Sequence, residues 1–136
     1  MGKSLYYFKD FEMKKDKDQL CIRTHFITDL NEHEYGLCYT NAYILQSVFI
    51  NVGTEIPIID FIYLPEEAPT REELLKTIVK PEDMVKACDK ILSEPKKYTK
   101  DIDLKYGCDT FESIEDTVRM IRQLSNDGYF IGIEPE

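Results

Sequence analysis

Cys38, His25 and His33 are the residues whose types could combine into reactive chemistry. Cys38 lies three positions before Asn41, a good N-cap for a helix, and a helix N-terminus favours a thiolate. His25 or His33 would then act as base, and Asn41 or Glu34 would orient it. A cysteine-dependent enzyme with Cys38 as nucleophile is therefore one of two functional expectations.

Two features oppose it. No histidine follows position 33, whereas papain-like and transglutaminase-like arrangements place theirs well downstream of the nucleophile. The bland alternative is that Cys38 and Cys88 are small core hydrophobes. The other thiols, Cys21 and Cys108, form no short-spaced pair with them, so four reduced thiols are expected rather than a disulfide framework.

Other chemistries fail on spacing. Cys21 and His25 share a strand face, but four residues at ~3.3 Å each hold them about 13 Å apart, too far for neighbouring zinc ligands. His33 and Cys38 would still need two more ligands from elsewhere. The 29–34 stretch opens like a calcium loop, yet its sixth position is Glu34 where glycine is required. The six glycines build neither a Walker loop nor a dinucleotide fingerprint, and no nucleophile elbow surrounds a serine. No cofactor and no metal is expected.

Charge gives the second expectation. The chain carries a formal charge of −9, which argues against a nucleic-acid binder, because phosphate affinity rests on lysine and arginine. A basic protein partner suits it better. Asp101, Asp103, Asp109, Glu112, Glu115 and Asp116 make the most anionic neighbourhood, relieved by Lys105, while Lys76, Lys80, Lys86, Lys90, Lys96, Lys97 and Lys100 make the preceding stretch basic. Tyr98 and Tyr106 offer large contact area at low entropy cost. The expected binding set is Tyr98, Asp101, Asp103, Tyr106, Asp109, Glu112 and Asp116. The alternative is that the acids are a solvated face and the tyrosines pin a loop to the core.

The elements that must hold these residues follow from periodicity and capping. Residues 5–8 and 20–27 read as strands, paired as a hairpin across an exposed charged connection at 13–18, with Leu20, Ile22, Thr24 and Phe26 as the core face of the second. Residues 35–40 suit a third strand. A central helix then runs from Asn41 to about Asn51 with Ala42, Leu45, Val48, Phe49 and Val52 on one stripe and Gly53 as its stop. Residues 56–64 favour an extended piece whose beginning Pro57 demotes to an edge or non-strand position.

Thr70 and Glu73 match a capping box before a short helix, and Pro81 starts another with Met84, Val85, Cys88, Ile91 and Leu92 inward. Residues 96–111 lack a clean period and read as an ordered loop. Ser113 caps a last helix carrying Ile114, Val118, Ile121 and Leu124, and residues 129–133 form a final strand.

These elements give one α+β domain over residues 1–136: a mostly antiparallel sheet of about four strands with three or four helices mainly on one face. With 43% hydrophobic residues, nine Tyr and seven Phe, the chain is too apolar to be disordered. No stretch approaches the ~18–20 apolar residues that cross a bilayer, and the start lacks a signal-peptide apolar core, so no membrane association and a cytoplasmic location are expected.

The order of short motifs, Leu5-Tyr6-Tyr7, Tyr39-Thr40-Asn41, the Pro-and-Tyr stretch from Ser93 to Tyr98, Gly107, and the helix and strand from Ser113 to Ile133, resembles a group of small bacterial and phage-associated proteins of unknown function. Those proteins often carry Trp beside the loop glycine, where this chain has Cys108. The resemblance implies an α+β architecture and no particular chemistry. A non-enzymatic protein-binding domain of accessory, immunity or phage-related kind, presenting an acidic surface, is the leading expectation.

Overall fold

The computed structural model describes residues 2–9, 11–17, 22–28, 34–59, 62–63 and 70–135; over 11–17, 22–28 and 62–63 the description is of the backbone. The elements run β1 (Gly2–Phe8), β2 (Phe11–Lys17), β3 (Ile22–Thr28), β4 (Glu34–Cys38), α1 (Tyr39–Val52), β5 (Ile62–Tyr63), α2 (Arg71–Thr77), α3 (Pro81–Ser93), α4 (Pro95–Tyr106), α5 (Phe111–Asn126) and β6 (Phe130–Ile133). The α+β class stands. The expected single sheet of about four strands is instead, among the described residues, two three-stranded sheets, β4-β1-β6 and β2-β3-β5.

Side-chain alternation along β1 explains how the first sheet builds two cores. Leu5 pairs with Tyr35 of β4 and Ile133 of β6, and Tyr7 pairs with Ile131. On that face Leu5, Leu37, Ile131 and Ile133 join the main core with α1 and the inward residues of α3, α4 and α5. The opposite face carries Phe8 and Phe130, covered by Ile59 and by Leu74 and Ile78. Four long helices thus lie on one face as expected, and the seven-residue α2 end covers the other.

Residues 57–59 extend this sheet alongside β6. Ile133 N–H donates to the Pro57 carbonyl at 2.9 Å, and Ile59 N–H donates to the Ile133 carbonyl at 2.9 Å. Pro57 contributes only its carbonyl, so its missing N–H costs nothing there. The remainder of the 56–64 stretch places Ile62 and Tyr63 against β3 in the other sheet.

The expected hairpin between residues 5–8 and 20–27 is not formed. The partner of β3 is β2, with Met13 opposite Phe26 and Lys14 opposite His25, while β1 pairs with β4 and β6. Strand β2 falls on the stretch read as a connection, because Lys14, Lys15, Asp16 and Lys17 hide the hydrophobic alternation while the backbone ladder still forms. The expected core face of residues 20–27 lies outside the described side chains.

Helix starts follow the capping chemistry closely. Thr70 Oγ1 accepts from Glu73 N–H at 3.1 Å, which is the expected cap of α2. Pro81 occupies the first position of α3, with Glu82 and Asp83 in its first turn. Three starts are corrected or new. Helix α1 begins three residues early, with Cys38 rather than Asn41 at the N-cap; α5 begins at Phe111, so Ser113 sits in its first turn and donates from Oγ to the Thr110 carbonyl at 2.8 Å.

The third correction is α4, which occupies the stretch read as a loop. Pro95 marks the end of α3 by disfavouring the helical conformation at Glu94, and it also opens α4, where proline suits the first helical position. The inward stripe of α4 contains Thr99 and Ile102, both buried, with half-buried Tyr98 and Asp103. Polar residues on the buried side erase the apolar period. Gly107, at φ +71, supplies the left-handed stop.

Candidate interaction surface

Helix α1 has fourteen residues and not one charged side chain, in a chain that is 32% charged. Ala42, Ile44, Leu45, Val48 and Phe49 fill the core, which leaves Tyr39, Tyr43 and Ile50 each about half exposed, at 52%, 50% and 52%. Thr40, Asn41, Gln46, Ser47 and Asn51 are its polar residues, and none is charged. The open side of a surface helix is normally charged or polar, whereas here it carries Tyr39, Tyr43 and Ile50.

Helix α4 supplies the neighbouring groups. Lys105 Nζ donates to Tyr43 Oη at 3.0 Å and stands 4.4 Å from the Tyr43 ring centroid and 5.8 Å from that of Tyr106. The Tyr43 and Tyr106 rings meet edge-on at 6.4 Å between centroids. The Lys105 hydrogen bond holds the Tyr43 phenol below its usual range, and the same bond raises the Lys105 ammonium. At the far end of α1, Asn51 Nδ2 donates to the Tyr98 carbonyl at 2.8 Å and to Asp101 Oδ1 at 3.0 Å, fixing α1 against α4.

The expected acidic set is divided by this geometry. Tyr98 packs against the main core and Asp101 serves the Asn51 clamp. Asp103 faces inward and shapes the α4–α5 turn: its Oδ1 accepts from the Thr110 hydroxyl and from Thr110 N–H at 2.9 Å, and its Oδ2 accepts from Thr99 Oγ1 at 3.2 Å. Burial alone would raise the Asp103 carboxyl, but the Thr110 and Thr99 hydrogen bonds and nearby Lys96 outweigh it and hold it low. Asp109 accepts from Phe111 N–H at 3.1 Å, and Glu112 and Asp116 lie exposed one turn apart on α5. Tyr106 joins the aromatic cluster, three residues before Asp109.

Cys38 is exposed, not a core thiol, because it ends β4 and caps α1: its Sγ accepts from Asn41 N–H at 3.4 Å. A groove of about 480 Å³ beside it is walled by Gly2, Lys3, Ser4 and Gly36. Glu34 accepts from Ser4 Oγ at 3.2 Å. His25 lies on β3 of the second sheet, paired with Lys14 and Ile62, and neither its side chain nor His33 is among the described residues. Among the described thiols Cys88 is the buried one; burial pushes it up to about 12.

No protein-family model, curated protein or solved structure matches the chain. Function is therefore argued from the surface itself. Among the described residues no helix is long and apolar enough to cross a membrane, and no three His, Cys, Asp or Glu side chains are grouped to hold a metal ion. The residues missed in the sequence were Tyr39, Tyr43, Ile50 and Lys105. Their signal was the unbroken uncharged run from Tyr39 to Val52, which reads as a core helix until its neighbours are placed.

Proposed function

We propose that this is a non-enzymatic protein-binding domain of accessory type, whose contact surface is the α1–α4 face centred on Tyr43, Lys105 and Tyr106, and that the exposed Asp109, Glu112 and Asp116 contribute its acidic part. The observation that carries it is the uncharged α1 with Tyr39, Tyr43 and Ile50 half exposed. Interface centres are depleted in charge and enriched in tyrosine, and their rims are polar. Those exposed carboxylates would favour a partner with a basic rim.

Tagged wild-type chain isolated from its native cells at low salt should carry a stoichiometric protein. The Tyr43→Ser/Tyr106→Ser pair should lose it while keeping the wild-type circular dichroism, and Asp109→Lys/Asp116→Lys should weaken it. Recovery of no stoichiometric protein, or equal recovery by the tyrosine variant, contradicts the reading.

A second reading makes Cys38 a nucleophile, favoured by its exposure and its position at the α1 N-cap. Alkylation kinetics at neutral pH decide it: a Cys38 that reacts no faster in the folded chain than in an unfolded control is no activated nucleophile.

A further inference from the structure

A groove of about 680 Å³ lies between α3 and a wall built from residues 53–55 and the segment that ends α2 and leads into α3. Lys76 and Lys80 stand on the wall side, and Lys86 and Lys90 on α3. All four are exposed, and none is ion-paired among the described residues, where Lys97, Arg119 and Arg122 take the acidic partners. Against them stand, among the described lining residues, two carboxylates, Glu55 and Asp83. In a chain of charge −9 this is a local reversal of sign.

Helix electrostatics account for only part of it. Lys76 and Lys90 sit in last turns, where a cation complements the helix dipole, but Lys80 is the N-cap of α3, where a cation opposes it. The floor between the lysines is apolar: Ile78 and Ala87 are buried, Val79 is half-buried and Leu75 is 44% exposed.

We propose that this groove binds an acidic amphipathic peptide segment of a partner protein, its apolar side chains on the Leu75–Val79–Ala87 floor and its carboxylates on the four lysines. Asp83, Lys86, Ala87 and Lys90 recur on one face of α3 over about 10 Å, the length of two helical turns. Carboxylates one turn apart on the peptide match Lys86 and Lys90. Among the described residues the lining contains no aromatic side chain on which a nucleotide base could stack, and a recessed floor does not meet a flat bilayer. The site shares no residue with the α1–α4 face and stands independently of it.

The test is a titration of the full-length ¹⁵N-labelled chain with a synthetic helical peptide of about three turns, Leu on one face and Glu on the other. Saturable amide shift changes confined to residues 75–90 and 53–55 are expected. Lys86→Glu/Lys90→Glu should weaken binding about tenfold or more, Leu75→Ser should weaken it too, and Tyr43→Ser, which probes the other face, should leave it unchanged. If the charge reversal disturbs circular dichroism, Lys86→Gln/Lys90→Gln replaces it. No shifts at low salt, equal binding of a Gln-for-Glu peptide, undiminished binding by the lysine variants, or stronger binding of an oligothymidylate or phosphatidylglycerol vesicles overturns the proposal.

Discussion

Replacing Gly132 by alanine tests the packing of the β4-β1-β6 sheet against residue 59. A Cβ at position 132 would stand 2.3 Å from Ile59 Cδ1 and 2.8 Å from its Cγ1. Ile59 is only 1% exposed and wedged among Phe8, Leu74, Ile78 and Phe130, so it has little room to turn away. Gly132 is not among the positive-φ glycines, so the backbone itself would accept alanine and the unfolded chain would lose about 0.4–1 kcal/mol of entropy in its favour. Against a side chain this confined, overpacking costs about 2–3 kcal/mol, the upper part of its usual range, which leaves a net loss of about 1–2.6 kcal/mol and a fall in Tm of roughly 3–10 °C.

Truncating the obstacle should relieve it. Ile59→Val alone removes one methyl and costs about 0.5–1.5 kcal/mol, but in the Gly132→Ala background it removes the closest contact, so the double variant should be more stable than the sum of the two by at least about 0.5 kcal/mol. Urea and thermal unfolding followed by circular dichroism measure all four corners of the cycle. A Gly132→Ala chain as stable as wild type, or a strictly additive cycle, would refute the close approach of residue 59 to β6.

Asp103→Ala should destabilise the chain by about 1–2 kcal/mol, because it strips acceptors from Thr110 and Thr99. Since the folded carboxyl is held below its ordinary value of 3.8, that difference should be constant above about pH 5 and close as pH falls below about 4, read by urea unfolding at each pH. In thiol titration with an aromatic disulfide, Cys38 and Cys108 should react in the folded chain and Cys88 only after unfolding, as its exposure and raised thiol pKa require. In an NMR pH titration Tyr43 should ionise before Tyr6, whose phenol is raised by burial and then by Glu134 and Glu34; Lys105→Gln should bring Tyr43 later.

The parts of this fold legible in the sequence were those written in local chemistry. Thr70 and Glu73, Pro81 and Gly53 mark helix ends through bonds made within a few residues, and the inward stripes of α1, α3 and α5 follow the helical period. What failed was structure supported from a distance. Strand β2 is polar and exists because β3 lies beside it, and α4 buries Thr99 and half-buries Asp103, whose hydroxyl and carboxylate find partners in each other and in Thr110.

The candidate surface divides the same way. Tyr106 and its neighbouring acids stood out as an aromatic, anionic stretch, but the Tyr43–Lys105 bond joins residues 62 positions apart, and no local pattern reports it. Asp103 carries the same charge as Asp109, yet Thr110 turns it into a structural group. Composition alone could not separate the two.

The most direct measurement is amide hydrogen exchange on the chain alone and bound to the protein recovered with it. Slowed exchange over α1 and the C-terminal half of α4, with the β4-β1-β6 ladder unchanged, is the expected footprint. Exchange that stays the same across α1 and α4 while slowing elsewhere would contradict the assignment of this face as the contact surface.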